Sequence, residues 1–314
     1  MAKFLVSGGA GFIGSHIAQE LILKSSRNAE VVVLDNFGEG KESNVPEGCS
    51  VIKADITSPG VWDEALQEVD VVFHHAAVAS VPYSVEHPSR TFEINTLATF
   101  RLAEAALKLK SPPKIVFASS ASVYGTPKKN PVNEDAPLDP ISPYGASKAA
   151  GDVMFRAYHA SFGLPVVCPR YFNVYGPRQP RYFFFDFLNK VKNSKRDIEV
   201  IGTGRQARDF IFVNDVVNAT ILCSKKKRAE GLAVNVGTGK GTTVRQIAET
   251  FLETLNLADS KRLHYTGKSW KGDIERIDAD NRRLKSLGWR QKYSLTEGIR
   301  REIEWFEAAY GKLS

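Results

Sequence analysis

The sequence predicts an α/β fold: a doubly wound parallel sheet with helices on both faces, followed by a smaller C-terminal lobe. Three observations predict it. Short apolar runs suited to buried strands alternate with helix-patterned stretches through the first half of the 314 residues, an alternation that builds a parallel sheet. The first run, Phe4–Val6, leads through Gly8, Gly11 and Gly14 into Ile13, Ile17 and Leu21, spaced four apart on one helix face. The second run, Glu30–Leu34, ends at Asp35, 21 residues after Gly14.

Strand, glycine turn, helix, strand and acid make the opening of a Rossmann-type dinucleotide site. Glycine lets the backbone turn tightly and approach a pyrophosphate, and the helix start offers free N–H groups and a positive dipole end. The spacing is G-x-x-G-x-x-G. Asp35 stands where an acid meets the adenosine ribose hydroxyls and repels a 2′-phosphate, which points to NAD. A strand-end turn is the other reading of that residue.

The remaining strands follow in order. Val51–Ala54 ends in Asp55 and Ile56, and Asp70–His74 runs into Ala76 and Ala77. Those two alanines let backbone lie close to a flat ligand, or simply pack tightly. A long helix is expected over Thr91–Leu109, then strands at Lys114–Ser119 and Val166–Arg170. Prolines at 127, 131, 137 and 140 preclude a helix between Gly125 and Ser142. Ser142 then caps a helix with Pro143 in its first position. In such sheets ligands lie at the carboxyl ends of the strands, where Asp35, Asp55, Ala76 and Ser120 all fall. After about residue 173 the rhythm loosens. The expected division is a dinucleotide domain over 1–172, with a return segment near 209–236, and a substrate-binding lobe over 173–314. Thr243-x-x-Gln246 and Ser294-x-x-Glu297 read as capping boxes that open two helices in that lobe.

Composition narrows the class. Hydrophobic residues make up 43% and charged residues 25%, a globular balance that excludes fibrous and disordered chains. No apolar run approaches the roughly 20 residues a membrane helix needs. The chain enters its first strand almost at once, so no signal peptide is expected. Cys49, Cys168 and Cys223 form no Cys-x-x-Cys pair, so reduced thiols and a cytoplasmic protein are expected. The histidines show no ligand spacing, and His74-His75 reads as packing or loop chemistry, so no metal is expected. Net charge is +7, with a basic run at Lys225–Arg228. No nucleic-acid recognition element accompanies it, and an anionic small substrate suits the same field.

Ser120, Tyr144 and Lys148 form the second constellation. A tyrosine ionises near pH 10 and is a poor base at neutrality. A lysine four residues on, along the same helix face, favours the phenolate. Ser120 can hydrogen-bond a substrate oxygen. Together they remove a proton from an alcohol while a nicotinamide takes the hydride. An exposed tyrosine–lysine pair is the plainer reading of Tyr-x-x-x-Lys alone.

These residues resemble the extended short-chain dehydrogenase/reductase superfamily over nearly the whole chain. Gly8–Gly14, Asp35-Asn36, Asp55-Ile56, His75-Ala76-Ala77, Ser119–Gly125, Tyr144–Lys148, Arg170–Gly176 and Arg208-Asp209-Phe210 occur in the expected order. Among its NAD-dependent epimerases and dehydratases, the chain looks most like UDP-glucose (UDP-galactose) 4-epimerases, including archaeal-type ones. Ser-Ser-Ala-Ser-Val-Tyr-Gly at 119–125, Arg-Tyr-Phe-Asn at 170–173, Gly-Thr-Gly-x-x-x-Arg-Asp-Phe at 202–210 and Gly272-Asp273 carry that likeness. Trp270 stands where relatives carry an arginine, and Ala79 where many carry lysine or glutamine.

The resemblance implies roles. Tyr144 is the base for the sugar 4-hydroxyl, Lys148 binds the nicotinamide ribose and Ser120 holds the sugar O4. Phe12 and Ile13 meet the pyrophosphate, Asp35 and Asn36 the adenosine ribose, and Asp55 and Ile56 the adenine. Asn95 sits near the nicotinamide. Asn173 and Arg208 meet the UDP phosphates, and Asp273 the uridine ribose. Ile277 stands where relatives limit room beside the sugar 2-substituent, which implies weaker turnover of UDP-N-acetylglucosamine; a core position on a short strand is its other reading. Arg178 is a phosphate candidate on charge alone, or a solvated loop arginine. Dehydratases and decarboxylases need acid–base residues where Ala121-Ser122 stand. A regulatory NAD sensor on the same fold would lack the tyrosine or lysine kept here. The family's common assembly is a homodimer through the helices at 91–109 and 143–162.

Overall fold

The structure is a computed structural model that describes residues 1–25, 29–267 and 276–313. Seven strands, β1 (Ala2–Ser7), β2 (Ala29–Asp35), β3 (Ser50–Lys53), β4 (Val71–His74), β5 (Lys114–Phe117), β6 (Val166–Tyr171) and β7 (Ala233–Val236), form the main path of an eight-stranded sheet, the eighth being the short Ser119–Ser120. They lie in the order β3-β2-β1-β4-β5-β6-β7, every neighbouring pair parallel. The chain order reverses between β1 and β4, so a crevice opens there at the carboxyl ends of the strands. The helices used below are α1 (Phe12–Ser25), α2 (Ala98–Leu107), α3 (Pro143–Phe162), α4 (Tyr182–Asn193), α5 (Val213–Lys225), α6 (Val244–Thr254) and α7 (Leu295–Tyr310).

Strand periodicity sorts the core onto two faces. Leu5, Val32, Leu34, Val72, Ile115 and Phe117 pack with Trp62, Leu102 and Phe155 on one side. Val6, Val31, Val33, Phe73 and Val116 pack with Ile17, Leu21 and Val216 of α1 and α5 on the other. That second core continues into the C-terminal part through Phe184, Phe187, Phe251 and Phe306 of α4, α6 and α7. α5 covers the sheet and β7 pairs with β6 at its edge.

Three elements differ from their sequence signals. The helical run starts at Pro88, ends at Leu107 and carries a π turn at Glu93–Leu97, the kind of local bulge that re-aims a side chain. The fifth strand stops at Phe117, and Ser119–Ser120 pairs instead with Arg170 and Tyr171. Only the first capping box is reciprocal: Thr243 and Gln246 exchange bonds, whereas Glu297 pairs with Arg300 and Arg301 and leaves Ser294 to cap alone. No helix among the described residues is long and apolar enough to cross a membrane.

α7 buries one acid. Glu302 is 0% exposed, and neither carboxylate oxygen has a partner among the described residues. Burial pushes its carboxyl up from 4.5 to about 8, beside Tyr175, whose phenol is raised by burial and by this same acid. An acid kept neutral in the fold favours folding fully below about pH 4.5 and loses that advantage as pH rises to about 8. Glu302→Gln is therefore expected to gain stability over the wild type as pH rises through that window, by at most about 1.4 kcal/mol per pH unit. Urea unfolding at pH 5, 6.5 and 8 checks this; a constant offset between the two proteins would contradict it.

Candidate active site

The glycine turn closes against the loop after β4. Gly8 has φ +71°, and a Cβ there would stand 2.6 Å from the Ala76 nitrogen. A Cβ on Gly14 would stand 2.2 Å from the Gly8 oxygen, so α1 packs directly on the turn. Gly11 opens α1, whose first N–H groups, at Phe12 and Ile13, have no partner within the helix. The Asp35 carboxylate accepts from Ala10 N at 2.9 Å and Phe37 N at 2.8 Å. It thereby fixes the loop's shape from the end of β2. Asp55 accepts from Thr57 N and Oγ1, Asn36 Nδ2 and Arg90. Burial opposes its charge, but these donors and the Arg90 charge hold its carboxyl below the usual range. Ile56 is buried beside it.

Ala76 and Ala77 are half-buried, and Ala76 satisfies the tight-packing reading through its contact with Gly8. Asn95 lies at the π turn and is 1% exposed. Its Oδ1 accepts from Val78 N at 2.8 Å, and its Nδ2 donates to Val78 O and Ser147 Oγ, each at 3.0 Å. Both amide hydrogens are used inside the protein, so Asn95 clamps the β4 loop to α3. His74 is buried between Ser7 Oγ at 2.7 Å and Thr99 Oγ1 at 3.0 Å. Burial, then the Lys148 charge, hold it far below its usual pKa.

α3 starts as its sequence signals, with Ser142 Oγ accepting from Gly145 N at 3.1 Å. Tyr144 N donates to Ser84 Oγ at 3.1 Å, a tether with no sequence signal. Ser122 Oγ donates to Ser120 Oγ at 2.9 Å, which frees the Ser120 hydrogen for the nearby Tyr144 phenol, whose pKa Ser120 pulls down. Ser122 carries no sequence signal as a site residue; in the fold it orients Ser120. Lys148 is 5% exposed, with its Nζ 5.2 Å from the centre of the Phe117 ring. Burial lowers it to about 8. Burial raises Tyr144 to about 12, against the pull of the Ser120 bond, with a further push from Tyr182. In the chain alone the desolvation of the phenol outweighs the pull of Ser120.

The remaining candidates divide. Asn173 and Arg208 are half-buried on neighbouring segments beyond the end of β6, where Asn173 N donates to Asp209 O at 3.0 Å. One Arg208 nitrogen donates to Ala207 O. Arg170 is 1% exposed and bound to Asp152, Tyr124 OH and Glu134 O. It is part of the frame. Arg178 is a half-buried loop arginine that packs against α1, with bonds to Ser15 Oγ and Gln19 Oε1. Ile277 is 5% exposed in a small core with Ala121, Val123 and Phe172, which is its core reading. Asp273 and Trp270 lie outside the described residues. A cleft of about 530 Å³ lined by His16, Gln19, Phe212, Tyr293, Arg301 and Trp305 lies behind α1, and no candidate residue lines it.

The model of the NAD dependent epimerase/dehydratase family matches residues 4–237. The chain belongs to this family. It is 37% identical over 310 residues to a putative UDP-glucose 4-epimerase of Methanocaldococcus jannaschii, covering 96% of this chain and 98% of that protein. Its fold matches a UDP-glucose 4-epimerase of Thermus thermophilus in complex with NAD, with a TM-score of 0.85 and 36% identity over 98% of this chain and 99% of that one. It also matches a UDP-N-acetylglucosamine 4-epimerase of Methanobrevibacter ruminantium, with a TM-score of 0.89, 32% identity and the same coverage. The protein is an epimerase of this NAD-dependent family on a Rossmann-like α/β fold. Its residues fit the cofactor: the turn excludes a Cβ at Gly8 and Gly14, α1 starts at that turn, and the Asp35 carboxylate fixes it.

Proposed function

We propose that the protein interconverts UDP-glucose and UDP-galactose. The observation that carries this reading is the Ser122–Ser120 bond, which leaves the Ser120 hydrogen for the Tyr144 phenol beside it, with Lys148 one turn further along α3. The Tyr144 phenol takes the O4 proton and returns it, Ser120 holds O4, and Lys148, still protonated at neutral pH, binds the nicotinamide ribose. Bound NAD supplies the acceptor for the C4 hydride and a positive ring that favours the phenolate. Gly8, Gly11, Gly14, Phe12 and Ile13 hold its pyrophosphate, Asp35 and Asn36 its ribose, and Asp55 and Ile56 its adenine. Asn173 and Arg208 hold the UDP phosphates, and Asp273 the uridine ribose. On this reading 1–172 with 209–236 carries the cofactor, and the rest of 173–314 carries the sugar. The three unpaired thiols suit the cytoplasm.

The substrate is tested with a panel of UDP-sugars and chromatography of the products. UDP-glucose and UDP-galactose are expected to show the highest kcat/KM; a higher value for UDP-N-acetylglucosamine or UDP-glucuronate would replace the reading.

We also propose a homodimer. Phe92, Leu97 and Phe100 on the run at 88–107, and Val153 and Phe162 on α3, are large apolar residues left exposed. The two stretches pack together, so a second copy can cover both about a two-fold axis. Small-angle scattering at micromolar concentration is expected to give twice the chain mass; a monomer would contradict it.

A further inference from the structure

The segment 176–182 links the strand Asn173–Tyr175 to α4 and crosses the crevice at the carboxyl ends of β2, β1 and β4. It is pinned at four points. His16 Nε2 donates to Pro177 O at 2.9 Å. Arg178 bonds Ser15 and Gln19 at the start of α1. Arg181 pairs with Glu39, beyond β2, at 3.0 Å. Tyr182 OH donates to Ala79 O, beyond β4, at 2.6 Å.

The backbone does not prefer this path. Arg178 has φ +72° and Tyr182 φ +70°, a region that bulky side chains rarely adopt and that persists only where contacts hold it. Tyr182 is nevertheless 47% exposed. Its acceptor Ala79 follows Val78, which Asn95 ties to Ser147, and Ser147 Oγ donates to the Tyr144 carbonyl. The Arg181 pair is a surface ion pair with Glu39 75% exposed, so it holds the strap weakly. The Tyr182 phenol is therefore the contact that closes the mouth of the Tyr144 site.

We propose that 176–182 is a strap latched by Tyr182, and that the Tyr182–Ala79 bond keeps the half-reacted sugar inside the cleft. This rests in its chemical part on the epimerase reading. In that reading the C4 hydride goes to the cofactor and the O4 proton to Tyr144, leaving a 4-keto sugar that must wait for both to return. A ketone that leaves first is short of two hydrogens and strands the protein with reduced cofactor. Tyr182 is thus a positioning residue: it acts through closure, without touching the reacting atoms.

The test uses the holoenzyme and the variants Tyr182→Phe and Glu39→Gln. Tyr182→Phe keeps the ring and loses the donor. Trypsin cleavage after Arg178 is expected to speed up about five- to tenfold, as loss of one hydrogen bond implies. The fraction of turnovers ending in free 4-keto sugar and reduced cofactor is expected to rise by a similar factor. Glu39→Gln is expected to change either quantity by less than about twofold. An unchanged melting temperature confirms that Tyr182→Phe is folded. If it is folded, cleaved at the wild-type rate and leaks no more ketone, the latch is overturned. Faster cleavage in a protein that turns over no UDP-hexose would keep the latch and remove the epimerase reading instead.

Discussion

Tyr144→Phe is expected to lower kcat by about 10²-fold or more while the protein still folds and binds its cofactor. The phenol is the group that can exchange a proton with the sugar O4, and phenylalanine keeps the ring but removes that proton. Its surroundings sharpen the expectation. Burial holds Tyr144 at about 12, so it depends on charge brought near it to act at neutral pH. Lys148→Ala removes a buried ammonium from the same helix face and is expected to cost a similar factor. Ser120→Ala leaves the phenol in place and is expected to cost less. Steady-state kinetics on all three variants, with melting temperatures as the folding control, check this; near-normal kcat in Tyr144→Phe would overturn the mechanism.

Asp152→Ala is expected to destabilise the protein by about 3–5 kcal/mol. Asp152 is 0% exposed and accepts from Ser119 Oγ, Arg156 Nε and two nitrogens of Arg170. Arg170 is as deeply buried, and Tyr124 and Asn235 continue the network into β7. Removing the carboxylate leaves a buried guanidinium without its paired carboxylate, which costs far more than the loss of one contact. Urea unfolding measures it; a loss below about 1 kcal/mol would show that the network is dispensable.

The parts legible in the sequence are those whose signal is local. β1, the glycine turn, α1 and Asp35 lie within 35 residues, and each obeys its own period or spacing. Ser142, Pro143, Tyr144 and Lys148 share one helix start, so cap and face fixed their placement. The parts that were not legible depend on distant partners. Arg170 shows in the sequence only as part of a matching segment; that it is tied to Asp152 of α3 depends on the fold. The clamp that the Asn95 amide makes between Val78 and Ser147 lies at a π turn that no residue pattern announces. Ile277 turns on packing against Ala121 and Phe172, more than 100 residues away in sequence. The ionisation of Tyr144 depends on how deeply the fold buries it, which spacing to Lys148 does not encode. Tyr182 carried no motif at all; only its reach to the Ala79 carbonyl marks it.

At the centre of the proposed mechanism, the C4 hydride leaves the sugar and returns to the same carbon while Tyr144 carries the O4 proton. UDP-glucose with deuterium at C4, incubated with the purified protein and followed by proton NMR, tests it directly. The expected product is UDP-galactose that keeps the deuterium at C4, with no exchange into solvent and no net cofactor reduction. Loss of the label to water, or reduced cofactor formed in step with product, would contradict it.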